Sequence, residues 1–246
     1  MNSIILLNSE LVEKNVFEIK DVERLSHLRN IIKVSIDDSL KVTLINKGIA
    51  KALVKKIDDH LIQLEITSEF IHHKTPDIRL VVGVSRPQTS KKIIEHATSL
   101  GIKSIDFFKA ELSEKSYLTS KVFTEDNQLE KLTMLGLSQS AKYCMPPIIK
   151  THLRKEAIVE NLNKGEQKLI LSLNSKQTII KNPLDLKKPI HLVIGPERGF
   201  TKNEEDYFIN QGFRPVLISN STLRVEIACF SALSQLELLR MENQND

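Results

Sequence analysis

Two residues near the carboxyl terminus, Arg224 and Glu226, carry side chains that could act together in catalysis. An arginine guanidinium stays charged at any working pH and can donate paired hydrogen bonds to a carbonyl oxygen that becomes anionic during a reaction. The nearby glutamate could remove a proton from the reacting molecule, or it could anchor the arginine. Alternatively, the two residues form an exposed ion pair at the start of a helix, contributing about 0–1 kcal/mol to stability.

A glycine-rich loop lies upstream of this pair. Residues 195–200 read GPERGF and follow the apolar run 190–194. The next four residues, from Thr201 to Glu204, predict a capping box at the start of a helix. Glycines allow close backbone approach, and free amides at a helix start suit a carboxylate or another electron-rich group. An ordinary turn between a strand and a helix is the alternative, and the spacing does not support a Rossmann dinucleotide site.

The same plan of strand, polar loop and helix occurs again further along the chain. A second apolar run, 215–218, leads into the polar residues 219–222 and then into a helical pattern that begins near Val225. Alternation of strands and helices predicts the α/β class, in which ligands bind beyond the carboxyl ends of the strands. We therefore expect the loops that follow these two strands to form the active site.

Composition sets wide bounds on function. The 246 residues suffice for one large domain or two smaller ones, and the net charge of +4 permits nucleic-acid binding without requiring it. Cys144 and Cys229 have no metal-ligand spacing, which favours a reducing compartment and gives no indication of a metal site. The chain shows no signal peptide and no apolar run that could cross a membrane, so a cytoplasmic, soluble protein is expected.

The order of elements predicts two domains joined by a linker at 67–77. Before the linker, short apolar runs predict strands at 41–45, 49–57 and 61–66, which is typical of a small barrel. After it, the pattern predicts strands at 79–84, 104–108 and 169–173 and helices at 93–100, 127–141, 152–162 and 225–241.

The two carboxyl-terminal motifs, taken together, carry a family resemblance. Gly195-Pro196-Glu197-x-Gly199-Phe200 and Leu223-Arg224-x-Glu226-x-Ala228 resemble the ribosomal RNA small subunit methyltransferase E family. That family belongs to the SPOUT superfamily, whose α/β catalytic domain ties its carboxyl-terminal chain into a deep trefoil knot around S-adenosylmethionine. Its members methylate N3 of a uridine in 16S rRNA of the 30S ribosomal subunit.

The resemblance implies a domain plan and partners. It implies a PUA-like RNA-binding β-barrel over residues 1–72 and a knotted SPOUT methyltransferase domain over 73–246. It also implies a homodimer, S-adenosylmethionine as the only cofactor, no metal and no membrane. The alternatives are a SPOUT methyltransferase that acts on another RNA position and a non-catalytic RNA-binding protein of the same fold.

Individual roles follow from the resemblance, with Arg224 and Glu226 as the catalytic pair. The residues expected to line the cofactor are Leu173, Ile194, Gly195, Pro196, Glu197, Gly199, Leu217, Ile218, Ser219, Asn220, Leu223 and Ala228. The residues expected to contact RNA are Arg24, Arg29, Lys33, Arg86, Lys142 and Arg198, although the first three could equally form a solvated helix face. The chain departs from the family pattern at Ser99, Lys142, Arg198 and 219–221.

Overall fold

The computed structural model describes residues 3–140, 142–160, 162–163 and 165–243. It divides into two compact units, Met1–Lys74 with Met134–Pro146, and Thr75–Thr133 with Pro147–Asp246. Residues 134–146 therefore belong to the first unit, whereas the predicted division places them in the second. Backbone hydrogen bonds explain this difference, because the Ser3 amide donates to Ser138 O at 2.7 Å and the Asn46 amide donates to Cys144 O at 3.0 Å.

The first unit is built on one mixed sheet with the strand order β1-β4-β5-β6-β3-β2. Its elements are β1 (Ile4–Leu6), β2 (Leu11–Glu13), β3 (Val16–Ile19), α1 (Val22–Ser26), β4 (Ser39–Leu44), β5 (Gly48–Ile57) and β6 (Ile62–Ile66). Alternate strand residues face a core that includes Phe17, Val42, Val54 and Leu64. The three strands predicted before the linker are present, and the PUA-like relationship stays a prediction.

The second unit is an α/β unit, as the alternating pattern predicts. Its elements are β7 (Ile78–Gly83), α2 (Pro87–Leu100), β8 (Ser104–Phe108), α3 (Lys115–Leu118), α4 (Lys121–Thr124), α5 (Gln128–Gln139, which continues into the first unit), β9 (Ile148–Leu153), α6 (Lys155–Glu160), β10 (Gln167–Leu171), β11 (Ile190–Ile194), α7 (Lys202–Asn210), β12 (Arg214–Val216) and α8 (Val225–Asn243). The strands pair in the order β12-β10-β11-β7-β8-β9, and every pairing is parallel. The predicted trefoil knot stays a prediction.

Both faces of the parallel sheet are covered. One face packs against α2 and α8 through a core that includes Leu80, Ile94, Leu192 and Leu236. The other face packs against α6 and α7 through a smaller, aromatic-rich core whose largest members are Phe108, Phe208 and Phe213. Parallel sheets are normally buried on both sides, and the apolar composition of β7 and β11 reflects this.

Several predicted elements differ from the structure. The helix predicted at 152–162 is a strand up to Leu153 followed by a short helix from Lys155, because Ile148–Leu153 pairs with β8 along the edge of the sheet. Leu100, whose helical spacing from Ile93, Ile94 and Ala97 predicts a place on the buried face of α2, is 39% exposed. The predicted helix end at Ala141 lies outside the described residues. No described helix has both the length and the hydrophobicity that crossing a membrane requires.

Candidate functional site

The loops that the sequence singles out all leave the same edge of the parallel sheet. Because β7, β10, β11 and β12 are parallel, their carboxyl ends lie together. Residues 84–86 follow β7, residues 172–174 follow β10, residues 195–200 follow β11 and residues 217–224 follow β12. The candidate site is therefore one cluster of loops within the second unit.

The loop after β11 approaches β7 so closely that a side chain would not fit between them. A Cβ built on Gly83 would lie 2.6 Å from Cδ and 2.7 Å from N of Pro196. A Cβ on Gly195 would lie 3.2 Å from the carbonyl carbon of Gly199. Gly199 itself has φ of +72° and no atom within 4 Å of its ideal Cβ position, so that side of the loop is open. The glycines thus permit a tight loop with one accessible backbone face.

Glu197 links this loop to the loop after β7. Its Oε1 accepts a hydrogen bond of 2.7 Å from the amide of Arg86, the residue that precedes the first turn of α2. A carboxylate at this position also interacts favourably with the positive end of the helix dipole. The side chains of Glu197 and Arg198 are otherwise exposed.

The far end of the loop is fixed by the predicted capping box at the start of α7. The Thr201 hydroxyl accepts from the Glu204 amide at 3.2 Å, and the Glu204 carboxylate accepts from the Thr201 amide at 3.3 Å. Glu204 is fully buried, and its other oxygen accepts from the Glu111 amide at 2.7 Å. The loop after β8 is thereby joined to the start of α7.

Glu111 itself completes this junction. Its Oε2 accepts from the Thr201 hydroxyl at 2.6 Å, and its Oε1 lies 2.9 Å from Nζ of Lys155. The Thr201 hydroxyl and the Lys155 ammonium hold the pKa of Glu111 below its usual value, so the carboxylate is charged at neutral pH. Sequence reasoning missed both residues, since they are distant in the chain from the glycine-rich loop.

The loop after β12 is held on two sides. The Leu217 amide donates to Gln177 O at 2.8 Å, and Leu217 O accepts from the Ile179 amide at 3.0 Å. On the other side, Gln235 Nε2 of α8 donates to Ile218 O at 3.0 Å. Neither Gln177 nor Gln235 stands out in the sequence, yet both fix the backbone from which Ser219 and Asn220 project.

Arg224 and Glu226 have different environments. Arg224 is exposed, and no described residue forms a hydrogen bond or ion pair with its guanidinium. Glu226 is 6% exposed and lies 3.7 Å from Nζ of Lys92 on α2. The two residues therefore do not form the ion pair that the sequence left as an alternative. Lys92, which the sequence did not indicate, is the partner of Glu226.

The residues expected to line the cofactor lie in or beside these loops. Ile194 and Pro196 are buried, whereas Leu173 and Asn220 are exposed. The intermediate members are Gly195, Gly199, Leu217, Ile218, Ser219, Leu223 and, in the first turns of α8, Ala228. Leu173 exposes 60% of its surface, which is unusual for a leucine and leaves an apolar side chain at the mouth of the site.

Two of the cations expected to contact RNA in the first unit, Arg24 and Arg29, have partners within that unit. The Arg24 guanidinium donates to the Glu10 carboxylate and to Ile5 O. The Arg29 guanidinium donates to Asp58 O. Lys33 is exposed and adopts a left-handed conformation with φ of 57°. Arg24 and Arg29 thus hold the first unit together, and Lys33 is the most accessible of the three.

The other expected RNA contacts lie apart from these. Lys142 belongs to the first unit and places its ammonium 5.5 Å from the centre of the Tyr143 ring. Arg86 and Arg198 lie in the second unit, at the carboxyl edge of its sheet, and are exposed. The structure thus places Arg86 and Arg198 beside the candidate site.

A buried polar cluster lies on the face of the sheet opposite α2 and α8. Arg79 pairs with Asp106, and His191 Nε2 lies 2.8 Å from Glu166. They line a cavity of about 190 Å³ that lies nearer the amino ends of the strands, away from the candidate site. Burial lowers the pKa of His191, which is 3% exposed. No group of His, Cys, Asp and Glu among the described residues is arranged to hold a metal ion.

The chain is similar to known RNA methyltransferases over most of its length. Residues 73–237 match the model of the RNA methyltransferase domain family. The ribosomal RNA small subunit methyltransferase E 1 of Borreliella burgdorferi is 33% identical over 221 residues, which cover 85% of this chain and 87% of that protein. The chain belongs to the ribosomal RNA small subunit methyltransferase E family. The family member from Treponema pallidum is 28% identical over 94% of this chain and 89% of its own length.

Solved structures place the methyltransferase E fold over almost the whole chain. The methyltransferase E of Neisseria gonorrhoeae, crystallised with S-adenosylmethionine, superposes with a TM-score of 0.81 at 18% identity and covers 97% of this chain and 98% of that one. A methyltransferase of Legionella pneumophila, also in complex with the cofactor, gives a TM-score of 0.77 at 19% identity over 97% of this chain and 98% of its own. The fold class expected from the motifs is thereby confirmed.

Proposed function

We propose that this protein transfers the methyl group of S-adenosylmethionine to N3 of a uridine in 16S rRNA. Membership of the ribosomal RNA small subunit methyltransferase E family supports the reaction class and the donor. The observation that carries the site is the convergence of Gly199, Leu173 and Arg224 at one edge of the parallel sheet.

The loops at that edge fit S-adenosylmethionine chemically. The open side of Gly199 offers backbone to a ligand, and exposed Leu173 with half-buried Ile218 and Leu223 offers apolar surface for an adenine ring. When bound, S-adenosylmethionine supplies a methyl group already activated by its sulfonium, so no metal is required for the transfer. The residues of this chain must then orient the two reactants and stabilise the charge that develops.

Arg224 is suited to stabilise that charge. Loss of the N3 proton places negative charge on the neighbouring uracil carbonyl oxygens, and a guanidinium can donate two hydrogen bonds to such an oxygen. Arg224 is exposed at the end of the loop after β12, and its guanidinium has no partner among the described residues. Its guanidinium is therefore available to a substrate.

Glu226 lies in the first turn of α8, where we expect it to orient neighbouring groups of the site. It is buried, and its partner Lys92 lies at 3.7 Å, on the neighbouring helix α2. A carboxylate in this setting can accept a proton from N3 directly or hold a cofactor hydroxyl. We favour the positioning role, because the carboxylate is already directed toward the ammonium of Lys92.

The proposal extends to partners and setting. The substrate is 16S rRNA or the 30S subunit that contains it, and the enzyme acts in the cytoplasm as a homodimer without a metal. Of Arg24, Arg29 and Lys33 in the first unit, Lys33 is the exposed residue and the one we assign to a phosphate contact. The same proposal assigns RNA binding to the first unit and catalysis to the second unit.

The deciding experiment is methyl transfer from labelled S-adenosylmethionine to 30S subunits from a strain that lacks its own N3 enzyme, followed by nucleoside mass spectrometry. We expect labelled 3-methyluridine. Label in another nucleoside would refute N3 of uridine as the target but would still support an RNA methyltransferase. Absence of label together with absence of cofactor binding by calorimetry would refute the enzymatic proposal and favour a non-catalytic RNA-binding protein. Sedimentation of the purified protein tests the dimer.

A further inference from the structure

Exposed cations follow four adjacent strands of the parallel sheet, at the edge where the candidate site lies. Arg198 comes after β11, Arg86 after β7, Lys109 after β8 and Arg154 after β9, and all four side chains are exposed. In the sheet these strands are neighbours in that order. The motifs in the sequence indicated Arg86 and Arg198 but neither Lys109 nor Arg154.

Backbone pairing places the last two cations side by side. Phe108, the final residue of β8, pairs with both Gly83 and Leu153. The Lys109 amide donates to Leu153 O at 2.9 Å, and the Val84 amide donates to Phe108 O at 2.9 Å. Lys109 and Arg154 therefore leave the sheet at the same level as the loop that carries Arg86.

The carboxylates of Glu111 and Glu197 on this edge bond to groups other than the side chains of these cations. Glu111 is bonded to Lys155 and Thr201, and one oxygen of Glu197 is bonded to the Arg86 amide. Among the described residues, none forms a hydrogen bond or ion pair with the side-chain nitrogens of Arg86, Lys109, Arg154 or Arg198. The edge thus presents accessible positive charge.

The length of the row suits contact with a nucleic-acid backbone. Neighbouring strands lie about 4.8 Å apart, so the three steps from β11 to β9 span about 14 Å. A strand of duplex carries one phosphate per about 3.4 Å of helix axis, and an extended single strand carries fewer. A row of this length can therefore contact several consecutive phosphates.

We propose that Arg198, Arg86, Lys109 and Arg154 form a track for the RNA backbone that flanks the target nucleotide. The track leads from the outer strand β9 along the sheet edge to the loop after β11, where the methyl donor is proposed to bind. It extends the proposed function, on which it rests, by assigning Lys109 and Arg154 to substrate binding. Their role is to hold the RNA, and methyl transfer itself falls to other residues.

The test compares the double variant Lys109→Gln/Arg154→Gln with the wild type in binding 16S rRNA fragments over a range of salt concentrations. Each lost phosphate contact should reduce the slope of log affinity against log salt by about 0.7 on single-stranded RNA. Affinity near physiological salt should fall about tenfold for the double variant. Calorimetric affinity for S-adenosylmethionine and thermal stability should match the wild type.

Two controls separate charge from structure. Lys109→Arg/Arg154→Lys keeps both charges and should keep the wild-type slope. Lys187→Gln removes an exposed charge that precedes β11, at the opposite edge of the sheet, and should leave RNA binding unchanged. A folded double variant with wild-type affinity and slope would refute the track.

The same readouts distinguish failure of the track from failure of the proposed function. If the wild-type protein transfers no methyl group but binds RNA with the expected dependence on Lys109 and Arg154, the track stands and the enzymatic proposal falls. If methyl transfer proceeds and the double variant neither raises the RNA KM nor reduces the salt slope, the enzyme stands and the track falls.

Discussion

The amide of Arg86 donates a hydrogen bond of 2.7 Å to Oε1 of Glu197, across 111 residues of sequence. This bond joins the loop after β7 to the glycine-rich loop after β11. The contact of Gly83 with Pro196 lies beside it, so the two loops are fixed both by a hydrogen bond and by close packing. Glu197 therefore shapes the site, whether or not it also touches the methyl donor.

Replacing Gly83 with alanine should disturb the site through that contact. The added Cβ would lie 2.6 Å from Pro196 Cδ, which is too close for any relaxed structure, so the loop must move. Because displacements of about 1 Å can cost about 100-fold in rate, we expect kcat/KM to fall by up to that factor. The measurement is steady-state methyl transfer, with calorimetry for the affinity of S-adenosylmethionine.

Gly212→Ala is the matched control for that variant. Gly212 has φ of +86°, and its ideal Cβ position is 3.9 Å from the nearest atom, Nζ of Lys168. Alanine there should cost about 1–2 kcal/mol of stability through backbone strain. Cofactor affinity should be retained. Equal cofactor affinity in Gly83→Ala and the wild type would contradict the assignment of the loop.

Thr201 should contribute to both stability and cofactor binding. Thr201→Val removes the hydroxyl that caps α7 and donates to Glu111, and loss of such a cap costs about 1 kcal/mol. Because Thr201 follows the glycine-rich loop directly, we also expect a higher KM for S-adenosylmethionine with little change in kcat. Thr201→Ser restores the hydroxyl and should restore both values. A valine variant with wild-type stability and KM would exclude this role.

The capping box at Thr201 could be predicted because it is local in sequence. The core strands β7, β8 and β11 could be predicted because most of their residues are apolar, although Arg79, Asp106 and His191 interrupt the runs. The edge strand β9 could not, because apolar and polar residues do not alternate in its sequence, IIKTHL, and the helix predicted at 152–162 overlaps its end. An edge strand forms by pairing with its neighbour, here β8, and a local sequence pattern does not record that pairing.

The loops that form the site could be predicted from the sequence, but most of the contacts between them could not. The positions of 195–200 and 217–224 followed from the order of strands. The bonds of Glu204 to Glu111 and of Glu226 to Lys92 depend on segments brought together by folding, and no local pattern records them. The same holds for Arg24 and Arg29, for which the sequence predicted RNA contacts or a solvated helix face, whereas both bond to acceptors of the first unit.

His191 should make stability depend on pH. Its pKa is lowered from the ordinary value of 6.5, first by burial, while Glu166 opposes and Arg79 reinforces the shift. Asp106 also faces it and acts in the same sense as Glu166. The unfolded chain therefore binds a proton at a higher pH than the folded protein, and the stability gained from a neutral His191 is complete above pH 6.5 and is lost as pH falls toward the folded pKa.

His191→Gln should flatten this dependence. We expect the free energy of unfolding of the wild type to fall more steeply than that of the variant between about pH 7 and about pH 5. Denaturant titrations at several pH values provide the measurement. The exposed His60→Gln serves as the control and should keep the wild-type slope. If the free energy of unfolding depends on pH equally in the wild type and in His191→Gln, His191 does not control stability in this pH range.

Arg224 should be required for methyl transfer and dispensable for binding the donor. Its guanidinium is exposed and has no partner among the described residues, so its removal leaves the loop after β12 held by Gln235 and by Gln177. Arg224→Ala should lower kcat by at least about 100-fold, as loss of an oxyanion donor does, with nearly unchanged calorimetric affinity for S-adenosylmethionine. Arg224→Lys keeps the charge but loses the paired hydrogen-bond geometry, so its kcat should lie between those of the wild type and Arg224→Ala. If Arg224→Ala methylates 30S subunits at the wild-type rate, the charge on uracil is stabilised by another group.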